Sequence, residues 1–562
     1  MKPRVWAPAA RRMVLDQSGR RTPMLPAAGG WWVAPCDLPH GADYAFCRDG
    51  GAPRPDPRSC WQPQGVHAPS RVFELSRCAW TDPWWRPPAW PSALVYELHI
   101  GTFSPAGTFA GALARLDHLR KLGVTHVEIM PIAEFPGERG WGYDGVALFA
   151  PHHAYGGPEG FARLVNACHE KGLAVLLDVV YNHLGPSGNY LADFGPYFTS
   201  RYHTPWGAAL NFDGPGSDGV RDFFIANALH WLRDFHCDGL RLDAVHVMAD
   251  NSATPFLEDL ARAVRALAAG CGRELVLIAE SDANDPRLSA PPLAGGLGLD
   301  AQWNEDFHHA LHAAVTGERS GYYADFGCLA ALAATLRRGF YLDGRYSAFR
   351  CRRHGRRFPG CDGARLIGYA QNHDQTGNRA QGERLIQLAS PGMVRIAAAL
   401  TLLGPHVPLL FQGEEWGAAT PFLYFTDHAE PGLGAAVRAG RPQLSPDPQD
   451  PATFARSRLR WEGQDHELLA WYRSLIRLRR ATPALAGHDL AAVRVRYNER
   501  ARWLTLARGP YRVACNFASC AQALPLGSEP SGGWRLMLAS APPAGSRLAP
   551  ESVAVLGPCH SS

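Results

Sequence analysis

Eight apolar runs of strand length recur between residues 93 and 416, and this repetition limits the folds open to the chain more than any other feature. They are ALVYELHI (93–100), THVEIMPI (125–132), LAVLLDVV (173–180), CDGLRLDAV (237–245), ELVLIAE (274–280), GLGLDAQW (296–303), RLIGYAQNHD (365–374) and VPLLFQGEEW (407–416). Between them lie segments with helical spacing of apolar residues, such as 109–123, 157–172, 221–236 and 255–270. Strand–helix alternation builds a parallel sheet, and eight such units close it. The sequence therefore predicts an α/β protein with a (β/α)8 TIM barrel over residues 81–485. The segment HELLAWYRSLIRLRRATPAL (466–485) supplies the closing helix.

The flanks differ. Residues 1–80 are rich in Pro, Gly and Trp, with short strand-like pieces and no helical period. They predict an N-terminal β-sandwich of the carbohydrate-binding-module kind, packed against the barrel. Residues 81–93 hold four prolines and read as a linker at the barrel's edge. Residues 486–562 predict a C-terminal β-sandwich. A chain of 562 residues is too long for one core, which fits three domains.

Composition excludes some partners. The formal net charge is only +4, which gives no support for nucleic acid. No stretch reaches the roughly 18 apolar residues that cross a bilayer, so no membrane partner is expected. The start carries no continuous apolar segment of a secretory signal. The thirteen cysteines are scattered and never spaced as CxxC, so a cytoplasmic location is expected.

In a (β/α)8 barrel, chemistry gathers at the C-terminal ends of the strands. The third run ends with Asp178, Asn182 and His183, and the fourth with Arg241 and Asp243, followed by His246. The fifth ends with Glu280, and the seventh leads into His373 and Asp374. The second feeds a loop with Trp141, Tyr143 and Asp144. One acid at a strand end is ordinarily a turn former or cap, and Asp178 is read as structural. Asp243, Glu280 and Asp374 on three separate strands are harder to explain by packing. Paired carboxylates around an aromatic-lined mouth suit glycosidic cleavage, one acid protonating the leaving oxygen while the other attacks or activates water. Arg241 and Asp243 share a strand face, so each charge compensates the other.

The blocks DVVYNH, DGLRLDAVH, LIAESD and QNHDQ, in that order, resemble the four sequence blocks of the α-amylase superfamily of glycoside hydrolases. The resemblance implies Asp243 as nucleophile, Glu280 as general acid/base and Asp374 as the acid that binds and stabilises the distorted sugar. It also implies Arg241, His183, His373 and Tyr143 at the −1 sugar, and a retaining reaction. Longer segments, such as 181–232, 279–287, 371–385 and 411–428, are similar to the maltooligosyltrehalose trehalohydrolase family. That likeness implies hydrolysis of the α-1,4 bond beside a terminal trehalose, with maltooligosyl trehalose as substrate and a maltooligosyltrehalose synthase as pathway partner. Ala283 and Asn304–Glu305 depart from the family's expected residues. Contacts to the leaving trehalose are expected from His246, Asp282 and Glu305. No cofactor is implied. No DxDxDG-type loop occurs, so no metal is expected. The alternatives are a glycogen or starch branching enzyme on the same trio, and a non-catalytic glucan-binding protein on a degenerate barrel.

Overall fold

Each of the eight apolar runs contains one barrel strand in the computed structural model of the chain. The strands are β1 (Val95–Leu98), β2 (His126–Ile129), β3 (Ala174–Val179), β4 (Gly239–Leu242), β5 (Val276–Ala279), β6 (Ala301–Trp303), β7 (Leu366–Tyr369) and β8 (Val407–Phe411). All neighbouring pairs are parallel, and β8 pairs with β1 to close the ring. The structure describes residues 1–358, 360, 362–523, 525–527, 533–543, 545 and 547–559.

Alternation along each strand sorts its side chains between the barrel interior and the surrounding helices. Val95, Leu176, Val276, Ile278, Trp303, Ile367, Tyr369 and Leu409 form one buried cluster in the interior. Two residues beyond Val95 and Leu176 on their strands, the same parity brings Glu97 and Asp178. Register pairs Glu97 with Glu128 on β2, and Asp178 with Arg241 on β4. The interior thus changes from apolar to charged as it rises toward the C-terminal mouth, where water and a substrate can offset the cost of burying ions.

The outer helices bury their apolar faces on the strands. Gly157–Glu170 and Phe256–Cys271 match the predicted periods closely. The predicted helix at 109–123 is broken into Phe109–Leu113 and Leu116–Leu122. The one at 221–236 begins earlier, as Ser217–Leu229, and finishes in a wider turn over His230–Asp234.

Residues 4–71 carry a three-stranded and a four-stranded sheet. They dock on the segment after β3: Arg54 pairs with Asp193 at 2.7 Å, and Trp6 meets Tyr197 edge-on at 5.5 Å. Trp6 also lies flat against Gly219, where an added Cβ would stand 2.1 Å from the indole. At the other end, five strands between Arg494 and Pro558 form a sheet against the helix Pro391–Leu403. One continuous apolar core joins all three regions.

Candidate active site

Strand β4 stops at Leu242, sooner than its apolar run suggests. Asp243 keeps its N–H on the Val179 carbonyl (3.1 Å), and Ala244 then turns into the left-handed region at φ 39°, ψ 48°. That conformation is uncommon for a residue with a Cβ and costs on the order of 1 kcal/mol. The turn aims the Ala244 N–H at Glu280 Oε2, 2.7 Å away. A strained backbone at this point links the tips of β4 and β5.

Arg241 organises the mouth. Its side chain is almost fully buried. Nη1 donates to both oxygens of Asp178 at 2.9 Å and to Asp243 Oδ1 at 2.8 Å. Nη2 lies 3.6 Å from Glu280 Oε2. One guanidinium therefore touches both Asp243 and Glu280, and the rigid fork sets the spacing of the two acids. Trp303 backs it, with the guanidinium carbon 4.4 Å from the ring centroid. Asn182 Nδ2 donates to the other oxygen of Asp243 at 3.0 Å.

The two acids meet different surroundings. Burial pushes the Glu280 carboxyl up to about 8. Arg241 opposes this, while Asp243, Glu305 and Asp374 push it further. At neutral pH Glu280 therefore holds a proton that it can give away. Asp243 holds the stronger cation contact and the amide donor. Such a division between neighbouring carboxyls is what acid and nucleophile roles require.

The remaining residues expected at the −1 sugar converge on the same mouth. The Tyr143 hydroxyl lies 2.6 Å from Asp178 Oδ2 and 2.8 Å from His373 Nε2, and its ring stacks on His373 at 5.4 Å. His183 Nε2 faces the Tyr143 carbonyl at 2.9 Å, and its ring stacks on the half-exposed Trp206 at 4.2 Å. Burial lowers the His183 pKa. Asp374 sits on the first turn of the short helix His373–Gly377 and accepts a hydrogen bond from Asn378 Nδ2 at 2.6 Å.

Glu305 lies inside this charged group. It accepts from Tyr369 at 2.5 Å and Gln375 at 2.8 Å, and burial raises its pKa to about 7. His246 and Asp282 stand 3.8 Å apart, on the rim of a neighbouring cavity of about 310 Å³ that Arg352 and His354 also line. Arg350 donates to Asp282 at 2.9 Å. A larger cavity, about 960 Å³, runs between Arg337, Arg338, His488 and Leu490 and is lined by none of the expected site residues.

Sequence reasoning missed Glu97, Trp206 and Arg350 as parts of this mouth. A glutamate inside the apolar run ALVYELHI was the visible signal for Glu97, of the same kind that drew notice to Arg241. Trp206 and Arg350 lie in loops, where no periodicity marks a side chain's direction.

Among the described residues, Glu134, His152 and His153 present metal-ligand atoms within 4.8 Å of one another. His152 Nδ1 accepts the Ala154 N–H at 3.2 Å, which places the neutral ring's proton on Nε2. His153 Nδ1 lies 2.6 Å from Glu134. Glu134 accepts from both the backbone and the ring of His153, and His152 Nδ1 is taken by the backbone, so the cluster suits a hydrogen-bonded loop anchor better than a metal.

A parallel eight-stranded barrel with this mouth defines the α-amylase class of glycoside hydrolases, and the family model "Alpha amylase, catalytic domain" matches residues 79–205. A second model, a domain of unknown function (DUF3459), matches residues 488–555. The chain belongs to the malto-oligosyltrehalose trehalohydrolase family. It is 51% identical to the Arthrobacter ramosus malto-oligosyltrehalose trehalohydrolase, over 91% of each chain. It is 48% identical to the Mycobacterium tuberculosis protein of that name, over 94% of each. The crystal structure of a provisionally named alpha amylase from Salmonella typhimurium superposes with a TM-score of 0.91 at 36% identity, covering 99% of this chain and 97% of that one.

Proposed function

We propose that the chain hydrolyses the α-1,4-glucosidic bond beside the terminal trehalose of maltooligosyl trehalose and releases trehalose with retention at the cleaved carbon. Asp243 is the nucleophile. Glu280 protonates the leaving oxygen and then, as a carboxylate, activates water against the glycosyl–Asp243 ester. Asp374 holds the reacting sugar. Tyr143, His183, Arg241 and His373 surround the −1 ring, and His246, Asp282 and Glu305 serve the leaving trehalose. The observation that supports retention best is the single Arg241 guanidinium in contact with both Asp243 and Glu280. An inverting pair must stand further apart to admit a water molecule.

The substrate reading rests on the family to which the chain belongs. In this reading the enzyme acts after a synthase that makes maltooligosyl trehalose, both in the cytoplasm. No helix among the described residues is long and apolar enough to cross a membrane.

Digestion of maltooligosyl trehalose tests the assignment. Free trehalose and a maltooligosaccharide whose new reducing end is initially the α anomer are expected. New α-1,6 branches on amylose without free trehalose would make the chain a transferase. An initial β anomer would refute retention.

A further inference from the structure

The hydrogen bonds around His373 fix more than its position. The Tyr143 hydroxyl has one proton and two close neighbours, Asp178 Oδ2 at 2.6 Å and His373 Nε2 at 2.8 Å. Both oxygens of Asp178 already accept from Arg241 Nη1. Asp178 is thus an acceptor, and Tyr143 donates to it. The Tyr143 oxygen then receives the proton of His373 Nε2. On the opposite edge of the ring, Nδ1 faces Glu97 Oε1 in a very short contact, while Glu97 Oε2 accepts the His373 backbone N–H at 2.9 Å. As a carboxylate Glu97 accepts on both oxygens, and Nδ1 then carries a proton as well.

We propose that Glu97 holds His373 as an imidazolium, and that this charge sets the direction of a donor chain running from His373 through Tyr143 to the Asp178–Arg241–Asp243 array. Glu97 is a positioning residue: it sits beneath the mouth and acts through His373. A neutral His373 with its proton on Nδ1 would present a lone pair at Nε2. Tyr143 would then turn its proton toward the histidine, and Asp178 would lose its hydroxyl donor.

The surroundings favour the cation. The groups facing the ring are Glu97 and His99 from β1 and the residue after it, Tyr143 from the loop after β2, Asp178 on β3, Arg241 on β4 and Asp374 on the ring's own helix. Burial, the largest single influence, opposes charge on His373, but Glu97 and Asp374 together outweigh it and the pKa stands above the ordinary 6.5. His99 is kept neutral, its pKa pushed down to about 4 by burial and by His373. Glu128, paired in register with Glu97, is driven toward the neutral acid by burial and by the Glu97 charge. Arg241 and His373 are thus the cations set among Glu97, Asp178, Asp243 and Asp374.

The kinetic arm of the test rests on the proposed trehalohydrolase reaction, and the spectroscopic arm does not. In protein labelled with ¹⁵N-histidine, the His373 ring should, like those of His153 and His169, keep both nitrogens protonated well above pH 6.5. That ring's signals should vanish in His373→Asn. In Glu97→Gln it should be neutral at pH 7.5, and in Glu97→Asp intermediate. In kinetics, Glu97→Gln should lose rate by roughly tenfold per pH unit above the lowered His373 pKa and recover on acidification, with KM little changed. A neutral His373 in the unaltered protein at pH 7, or a Glu97→Gln loss equal at every pH, overturns the proposal. If the unaltered enzyme fails to release trehalose, the substrate reading falls while the spectra still decide the charge of His373.

Discussion

Glu280 and Arg241 carry the sharpest consequences at the scale of single residues. In the proposed mechanism the free enzyme holds Glu280 protonated in order to cleave, and burial pushes its pKa up to about 8. The alkaline limb of kcat/KM should therefore fall through about pH 8, as pH–rate profiles of kcat/KM report the free enzyme. Glu280→Gln should cost roughly 10³-fold in kcat, about 4 kcal/mol of transition-state stabilisation, with thermal unfolding unchanged. A rate within tenfold of the unaltered enzyme would remove Glu280 from its role. Arg241→Lys replaces a fork that reaches three carboxylates with one ammonium. Burial already lifts Asp178 to about 6 against the pull of Arg241. Weakening that pull should move the acid limb to higher pH, and an unmoved limb would separate Arg241 from the ionisation of this array. Arg241 and Asp243 stood out in the sequence because charges interrupt an apolar run at its end, and the structure brings Arg241 against both Asp243 and Glu280. The partnership of Glu97 with His373 was not, since it joins residues 276 apart in the chain through side chains that only the closed barrel brings together.

At the scale of elements, the eight strands were readable because a parallel barrel strand is buried on both faces and reads as a continuous apolar run. Their ends were less readable. The apolar run of β4 continues to Val245, but the regular strand ends at Leu242 and Ala244 adopts positive φ, past which the Val245 N–H still reaches the Glu280 carbonyl at 3.1 Å. Apolar pattern reports burial, whereas the strand's end is set by where the backbone must turn to present Asp243. The pattern at 109–123 likewise shows an amphipathic face without revealing the break at Ala114–Arg115. The Ala244 turn is testable. Ala244→Val puts a β-branched side chain at φ 39° and should destabilise the fold by about 1–2 kcal/mol. It should also displace the N–H that holds Glu280 and lower kcat several-fold more than the stability loss explains. Denaturant midpoints and kcat measured on the same preparations decide this. A variant as stable and as fast as the parent would show that the turn is not under strain.

On the scale of the whole molecule, the segment leading into the barrel is fastened at the end opposite the catalytic mouth by a buried charge network. His169 Nδ1 lies 2.7 Å from Asp82 and Nε2 lies 3.0 Å from Asp238, so both nitrogens face carboxylates and the ring is a cation. Trp85 stacks on this ring at 4.5 Å and donates to Asp238 at 2.8 Å, and His236 lies 3.0 Å from Asp82. Asp82 and Trp85 lie in the proline-rich segment, so the network ties that segment to the helix Gly157–Glu170 and to the residue before β4. Burial opposes the His169 charge, but Asp238 and Asp82 outweigh it and raise the pKa. Asp82 is held below the carboxylate range, its burial outweighed by His169 and His236. The two signs bracket a window. The Asp82 contribution is present above its unfolded pKa of about 3.9 and disappears as pH falls. The His169 contribution is complete below about 6.5, its unfolded value, and is lost as pH rises through the raised folded value. His169→Gln leaves two buried carboxylates without their shared cation and should cost about 3–5 kcal/mol near pH 6. The gap between parent and variant should narrow steadily toward pH 9, as the parent loses the same charge by titration. Urea unfolding at pH 6, 7.5 and 9 measures that gap. A difference constant across the three would mean that His169 acts by filling space and that its charge contributes nothing to fastening the segment.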